Sequence, residues 1–178
     1  MYKTIIDFWF AELEPKQWWQ KDVALDVLIK TRFGELHDQA KAGELFRWRE
    51  TAFGSLAEII ILDQFSRNIY RGRPESFACD SFALSLAQFA ISKGMDNELS
   101  ETQRGFLFMP FMHSESKVIH IEAVKLFESL SHPDHRDFEY KHKVIIDRFG
   151  RYPHRNEILG RVSTPEEIEF LKQPGSDF

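Results

Sequence analysis

The sequence predicts an all-α protein of about seven or eight helices, paired antiparallel. Three observations carry this. Apolar residues recur at helical spacing, as in Phe33, Leu36 and Ala40. Helix start and stop signals punctuate the chain, with Gly43, Gly94 and Gly150 at ends and Ser100/Gln103 and Thr164–Pro165–Glu167 at starts. Strand signals are missing: no segment alternates for long, and no Asn-Gly turn joins two β-branched runs.

Taken in order, Thr4 is placed to cap a short first helix ending near Glu12. Residues 22–42 read as the second helix, stopped by Gly43. The third covers about 54–70, and its Ile59–Leu62 run is apolar on every side, which marks it as central. The fourth, about 76–93, carries Ala83, Ala87 and Ala90 on one face, small enough for a neighbouring helix to approach closely. A fifth starts from the Ser100/Gln103 capping box and is ended or kinked by Pro110. The sixth and seventh cover about 116–130 and 134–149, and the last lies near 165–172. Short loops between helices suggest a bundle or a helical-repeat stack.

With 178 residues the chain is expected to form a single domain, 1–178. Hydrophobic residues make up 43% and include 17 Phe, enough for a substantial core. The formal net charge of −5 argues against nucleic-acid binding, which needs a basic face. No apolar run approaches the roughly 20 residues of a membrane span, and the N-terminal residues lack the form of a signal peptide. The single cysteine, Cys79, fits a reducing compartment and reads as a small core residue, so the expected location is the cytoplasm. No cofactor is expected: phosphate-loop and nucleophile-elbow motifs are absent. "HPDH" (132–135) clusters possible metal ligands but lacks the set a metal requires, so no metal site is expected either.

Three polar stretches break the helical pattern. "DQFSRN" (63–68) ends the most apolar helix, and Asp63 and Arg67 are four apart, so they can pair, with Arg71 extending the stripe. "PFMHSE" (110–115) sets His113 and Glu115 before a helix whose cap is Ser114 or Ser116. "RFGRYPHRN" (148–156) gathers Arg148, Arg151, His154, Arg155 and Asn156 with no acid, on backbone made irregular by Gly150 and Pro153. Helix capping and ion pairs to Asp147 and Glu157 account for one or two of these arginines.

Those stretches, with "DFWF" (7–10), "DQFSRNIYRG" (63–72) and "LGRVSTPEE" (159–167), resemble a bacterial family known as domain of unknown function 924. The resemblance spans nearly the whole chain. It implies an all-helical, tetratricopeptide-like fold and no established activity. The chain departs from the family pattern at Ser66, Tyr70, Val144 and Tyr152, where Pro, Phe, an acid and Phe are expected.

The residues support three readings. The first is a site for a small anion, a phosphate or carboxylate. Asp63, Arg67, Asn68, Arg151, Arg155 and Asn156 would hold the ligand, and His113, His154 and Glu115 would serve in acid–base chemistry. The second is a helical-repeat module that captures a peptide or protein partner. The third is a buried ion-pair network that fixes the fold and takes no ligand.

Overall fold

Each predicted helix forms, and local chemistry explains where most of them end. The computed structural model describes residues 1–176, and among these all regular structure is helical. α1 (Tyr2–Asp7) runs directly into a wide π turn, Phe8–Glu12. Thr4 does not cap it: the helix begins at Tyr2, and the Thr4 amide already bonds to the Met1 carbonyl. α2 (Val23–Lys41) is capped by Asp22, whose carboxylate accepts from the Ala24 and Leu25 amides, and it stops before Gly43 at φ +74°. α3 (Ala52–Ile60), a π turn (Ile61–Phe65) and α4 (Ser66–Ile69) follow without a break, with Thr51 as the cap.

α5 (Asp80–Ser92) begins four residues later than the sequence suggests, because Pro74–Ser76 forms a separate 3₁₀ turn. α6 (Glu101–Met112) has the expected Ser100/Gln103 box and runs two residues past Pro110. Proline removes one amide donor, and so close to a helix end the remaining bonds suffice. α7 (Lys117–Glu128), α8 (Pro133–Phe149) and α9 (Pro165–Phe170) complete the chain. Counting α3, its π turn and α4 as one rod gives eight helices among the described residues.

The chain divides into two compact units. The first comprises Met1–Arg71 and Glu75–Pro110; the second comprises Gly72–Pro74 and the residues from Phe111 onward. In the first, α3 is the central rod, with α1 and α5 packed on it and α2 on its continuation. Ile59, Ile60, Ile61 and Leu62 are all fully buried, as an all-round apolar segment demands. Ala83, Ala87 and Ala90 are likewise fully buried. Phe33 lies between Phe8 and Phe65, with ring centroids 4.9 and 5.3 Å away. Each such buried side chain contributes about 2 kcal/mol through the apolar area it removes from water. Of the three early tryptophans, Trp9 is core, Trp18 is half-buried and Trp19 is exposed.

In the second unit α7 pairs with α8. Ile145, Ile146 and Tyr152 form its apolar centre, backed by Phe149 and Phe170. Gly150 at φ +71° ends α8 and turns the chain into the 148–156 stretch. Thr164 and Glu167 exchange both bonds of a capping box at the start of α9.

Candidate functional site

In the first unit the "DQFSRN" residues sit on the π turn and the helix after it. Asp63 is almost fully buried. Arg67 donates to the Asp63 carbonyl at 2.8 Å and to its carboxylate at 3.3 Å, as the spacing predicts. The same guanidinium forks onto Asp80 at 2.9 and 3.0 Å. Asn68 donates to Asp26 at 2.8 Å, and Arg71 holds Asp26 through two bonds of 2.6 and 2.7 Å. Arg71 therefore reaches across to α2 rather than extending the Asp63–Arg67 stripe. Asp26 and Asp80 stand in the first turns of α2 and α5, where a helix favours negative charge.

Beside this knot, Ser66 donates to the Leu62 carbonyl at 2.6 Å, and His37 Nε2 meets the Ser66 hydroxyl at 2.8 Å. That hydroxyl has one proton, so His37 is the donor to it. Burial lowers the His37 pKa to about 4. Cys79 is a buried free thiol whose pKa burial pushes up.

The second unit holds the other two stretches. Glu115 does not serve the helix that follows it. Its carboxylate takes a fork from Arg161 at 2.6 and 2.8 Å and accepts the Tyr152 amide at 2.7 Å. Burial pushes the Glu115 pKa up, but Arg161 and that amide outweigh it and hold the group below its ordinary value. Ser116 occupies the cap position of α7 without a side-chain bond. From Glu115 the network continues: Arg161 donates to Asn156, Asn156 donates to Ser163 and Glu167, and Arg151 forks onto Glu167 at 2.7 and 2.8 Å. Arg151, with the Thr164 amide and Asn156, depresses the Glu167 pKa to about 2. The expected partners of the arginines therefore change. Arg148 pairs with Glu166 and Arg151 with Glu167, both from α9, while Asp147 pairs with Lys143.

The remaining residues gather around one ring. Tyr152 is fully buried. The Arg155 guanidinium lies 4.5 Å from its centroid. The rings of His154, His142 and His120 are centred 5.6, 5.7 and 6.4 Å away. The Tyr152 hydroxyl donates to the Met112 carbonyl at 2.5 Å and meets His120 Nε2 at 3.2 Å. His120 Nδ1 contacts Glu139 at 2.7 Å, and both side chains are sealed from solvent. Burial holds His142 neutral, with a pKa of about 3, and the nearby His113, His120 and Arg155 push the same way. His154 is half-buried and lines a cavity of about 480 Å³ with Glu157, Ser163 and Gln173.

In the second unit, then, Glu115, Arg151 and Asn156 belong to one carboxylate-bridged chain, and His154 and Arg155 flank Tyr152. Asp63, Arg67 and Asn68 form the separate knot of the first unit. Sequence reading missed His120, Glu139, His142 and Arg161. A signal existed for two of them: Glu139 and His142 continue toward the N-terminus the face that Ile145, Ile146 and Phe149 form. A polar residue on a buried stripe needs a partner. Among the described residues no group of three or more His, Cys, Asp or Glu is arranged to hold a metal, and no helix is long and apolar enough to cross a membrane.

The fold and the polar stretches define an uncharacterised class of all-helical bacterial proteins. The model of the family of bacterial proteins of unknown function DUF924 matches residues 5–175, and the chain belongs to that family. A solved structure of a protein of unknown function from Agrobacterium tumefaciens is similar throughout. It has a TM-score of 0.92 at 39% identity, with 96% of each chain covered. No curated protein matches.

Proposed function

We propose that the second unit accommodates a small anionic ligand, a phosphate or carboxylate, at the His154 edge of the Tyr152 cluster. The observation that carries this is the gathering of Arg155, His120, His142 and His154 on one buried ring, with His154 opening onto a cavity. Basic groups packed this densely favour an anion wherever solvent reaches them. Arg155 and His154 would bind the ligand, and Ser163 and Gln173 would offer neutral hydrogen bonds from the wall. His154 would move a proton if chemistry follows, since a half-exposed imidazole titrates near neutrality when no partner fixes it.

Arg151 and Asn156 act in this reading by holding Glu167, and Glu115 by holding Arg161, so they shape the loop without touching ligand. Asp63, Arg67 and Asn68 bind one another's neighbours in the first unit and have no part in the anion contact. The test is a melting-temperature and calorimetric titration with inorganic phosphate and with succinate, at constant ionic strength. Saturable stabilisation that His154→Ala weakens at least tenfold is expected. No saturable binding of either anion up to about 10 mM would end the proposal, since that concentration exceeds the Kd of any ligand bound by more than about 3 kcal/mol.

A specific observation favours a second reading. The two-point pairs Arg151–Glu167 and Arg161–Glu115 suit a purely structural network that binds nothing. On that reading His154→Ala leaves every melting curve unchanged by anions. We also infer a cytoplasmic location, supported by the free buried Cys79. A tetratricopeptide-like stacking of the α7–α8 pair is part of the same proposal, and a peptide partner would be its consequence.

A further inference from the structure

His120 makes more contacts than a neutral imidazole can satisfy. Its Nε2 lies 2.9 Å from the Ser114 carbonyl and 3.2 Å from the Tyr152 hydroxyl. The carbonyl only accepts. The single Tyr152 hydroxyl proton goes to the Met112 carbonyl, so toward His120 the hydroxyl also accepts. Nε2 therefore carries a hydrogen. On the other side Nδ1 lies 2.7 Å from a Glu139 carboxyl oxygen. Two lone pairs at that distance repel, so a second proton lies between them, on nitrogen or on oxygen. In either form the pair holds one proton more than a neutral imidazole beside a carboxylate.

We infer that His120 and Glu139 form a buried proton latch. The shared proton keeps Nε2–H aimed at Ser114 and Tyr152, and so ties the "PFMHSE" turn to the "RFGRYPHRN" segment. Both side chains are fully enclosed, so the pair is net neutral where an uncompensated carboxylate would be costly. Burial raises the Glu139 pKa, opposed by His120, in keeping with a proton retained. The other charged or titratable groups facing the pair are Lys143 and Asp147 on α8 beside Glu139, and His113, His142 and Arg155, which are coupled to it through His142. The second carboxyl oxygen of Glu139 is buried and has no hydrogen-bond partner. That suits a protonated or shared-proton carboxyl better than a free carboxylate.

The latch needs no ligand. It requires folding at mildly alkaline pH to take up one proton from solvent, because separated His and Glu side chains are then a neutral imidazole and a carboxylate. Equilibrium unfolding of the full chain from about pH 7 to 8.5 tests this, wild type against Glu139→Gln. A glutamine amide can donate to Nδ1 and leave Nε2–H in place with no proton to lose. The wild-type folding constant is expected to fall relative to the variant, approaching tenfold per pH unit. Nitrogen-15 spectra of wild-type His120 at pH 8 are expected to show Nε2 protonated. Equal pH slopes for the two proteins, or an Nε2 without its proton, would overturn the latch. If the variant does not fold, the spectrum alone decides.

Discussion

The polar knot of the first unit and the Tyr152 cluster of the second both bury charge, but they solve the problem differently. In the first, Arg67 and Arg71 meet Asp63, Asp80 and Asp26, so acids answer the cations directly. In the second, four basic side chains surround an aromatic ring, and the carboxylate in contact with them, Glu139, shares a proton. A buried guanidinium between carboxylates is fixed in place and rigidifies a helix junction. Imidazoles on a ring stay titratable, which makes their region the one that responds to pH and to anions.

Breaking the first region should cost most. Arg67→Ala leaves Asp63 and Asp80 without their cation, and an expected loss of about 3 kcal/mol should be read by chemical denaturation. Tyr152→Phe comes next. It removes the hydroxyl that links His120 to the Met112 carbonyl, with an expected cost of about 2 kcal/mol. If the two losses were reversed in size, the ion pairs would not be what secures the first region.

Acid should expose the contrast as well. His37 and His142 have folded pKa values of about 4 and about 3, below the unfolded value near 6.5. Both therefore favour the folded state fully above pH 6.5. That advantage is lost as pH falls through 6.5 toward 3, because only the unfolded chain gains the proton there. Each of His37→Gln and His142→Gln should flatten the stability profile across that window, and His142→Gln the more strongly. Glu167, at about 2, adds a loss of the same sign below pH 4.5.

Smaller effects sharpen the picture. Gly150→Ala forces a side chain into the left-handed region and should cost about 1 kcal/mol, though no atom lies near enough to clash. Arg148→Ala removes an exposed ion pair with Glu166 and should change stability by less than about 0.5 kcal/mol. A larger effect would mean that the Arg148–Glu166 pair belongs with the buried network.

Much of this was legible in the sequence because it is local. Asp22, Thr51, Ser100 and Thr164 cap the helices that follow them, and the Gly43 and Gly150 stops depend on their own backbones. The Asp63–Arg67 pair followed from four-residue spacing. Partners distant in the chain were not legible. Arg71 reaches Asp26 across 45 positions and Arg161 reaches Glu115 across 46, and no periodicity encodes either. Glu139 and His142 were visible only as polar interruptions of an apolar stripe, while their neighbour His120 comes from another helix.

The π turn at Ile61–Phe65 carries a last consequence. A π turn holds one more residue than an α turn, so it behaves as an insertion written into a continuous helix. Removing one residue from it would let the rod wind as plain α-helix and swing everything beyond it by about 100°. Arg67 and Asn68 would then point away from Asp80 and Asp26, with their own identities and caps untouched. In this helix, a deletion would act as a rotation.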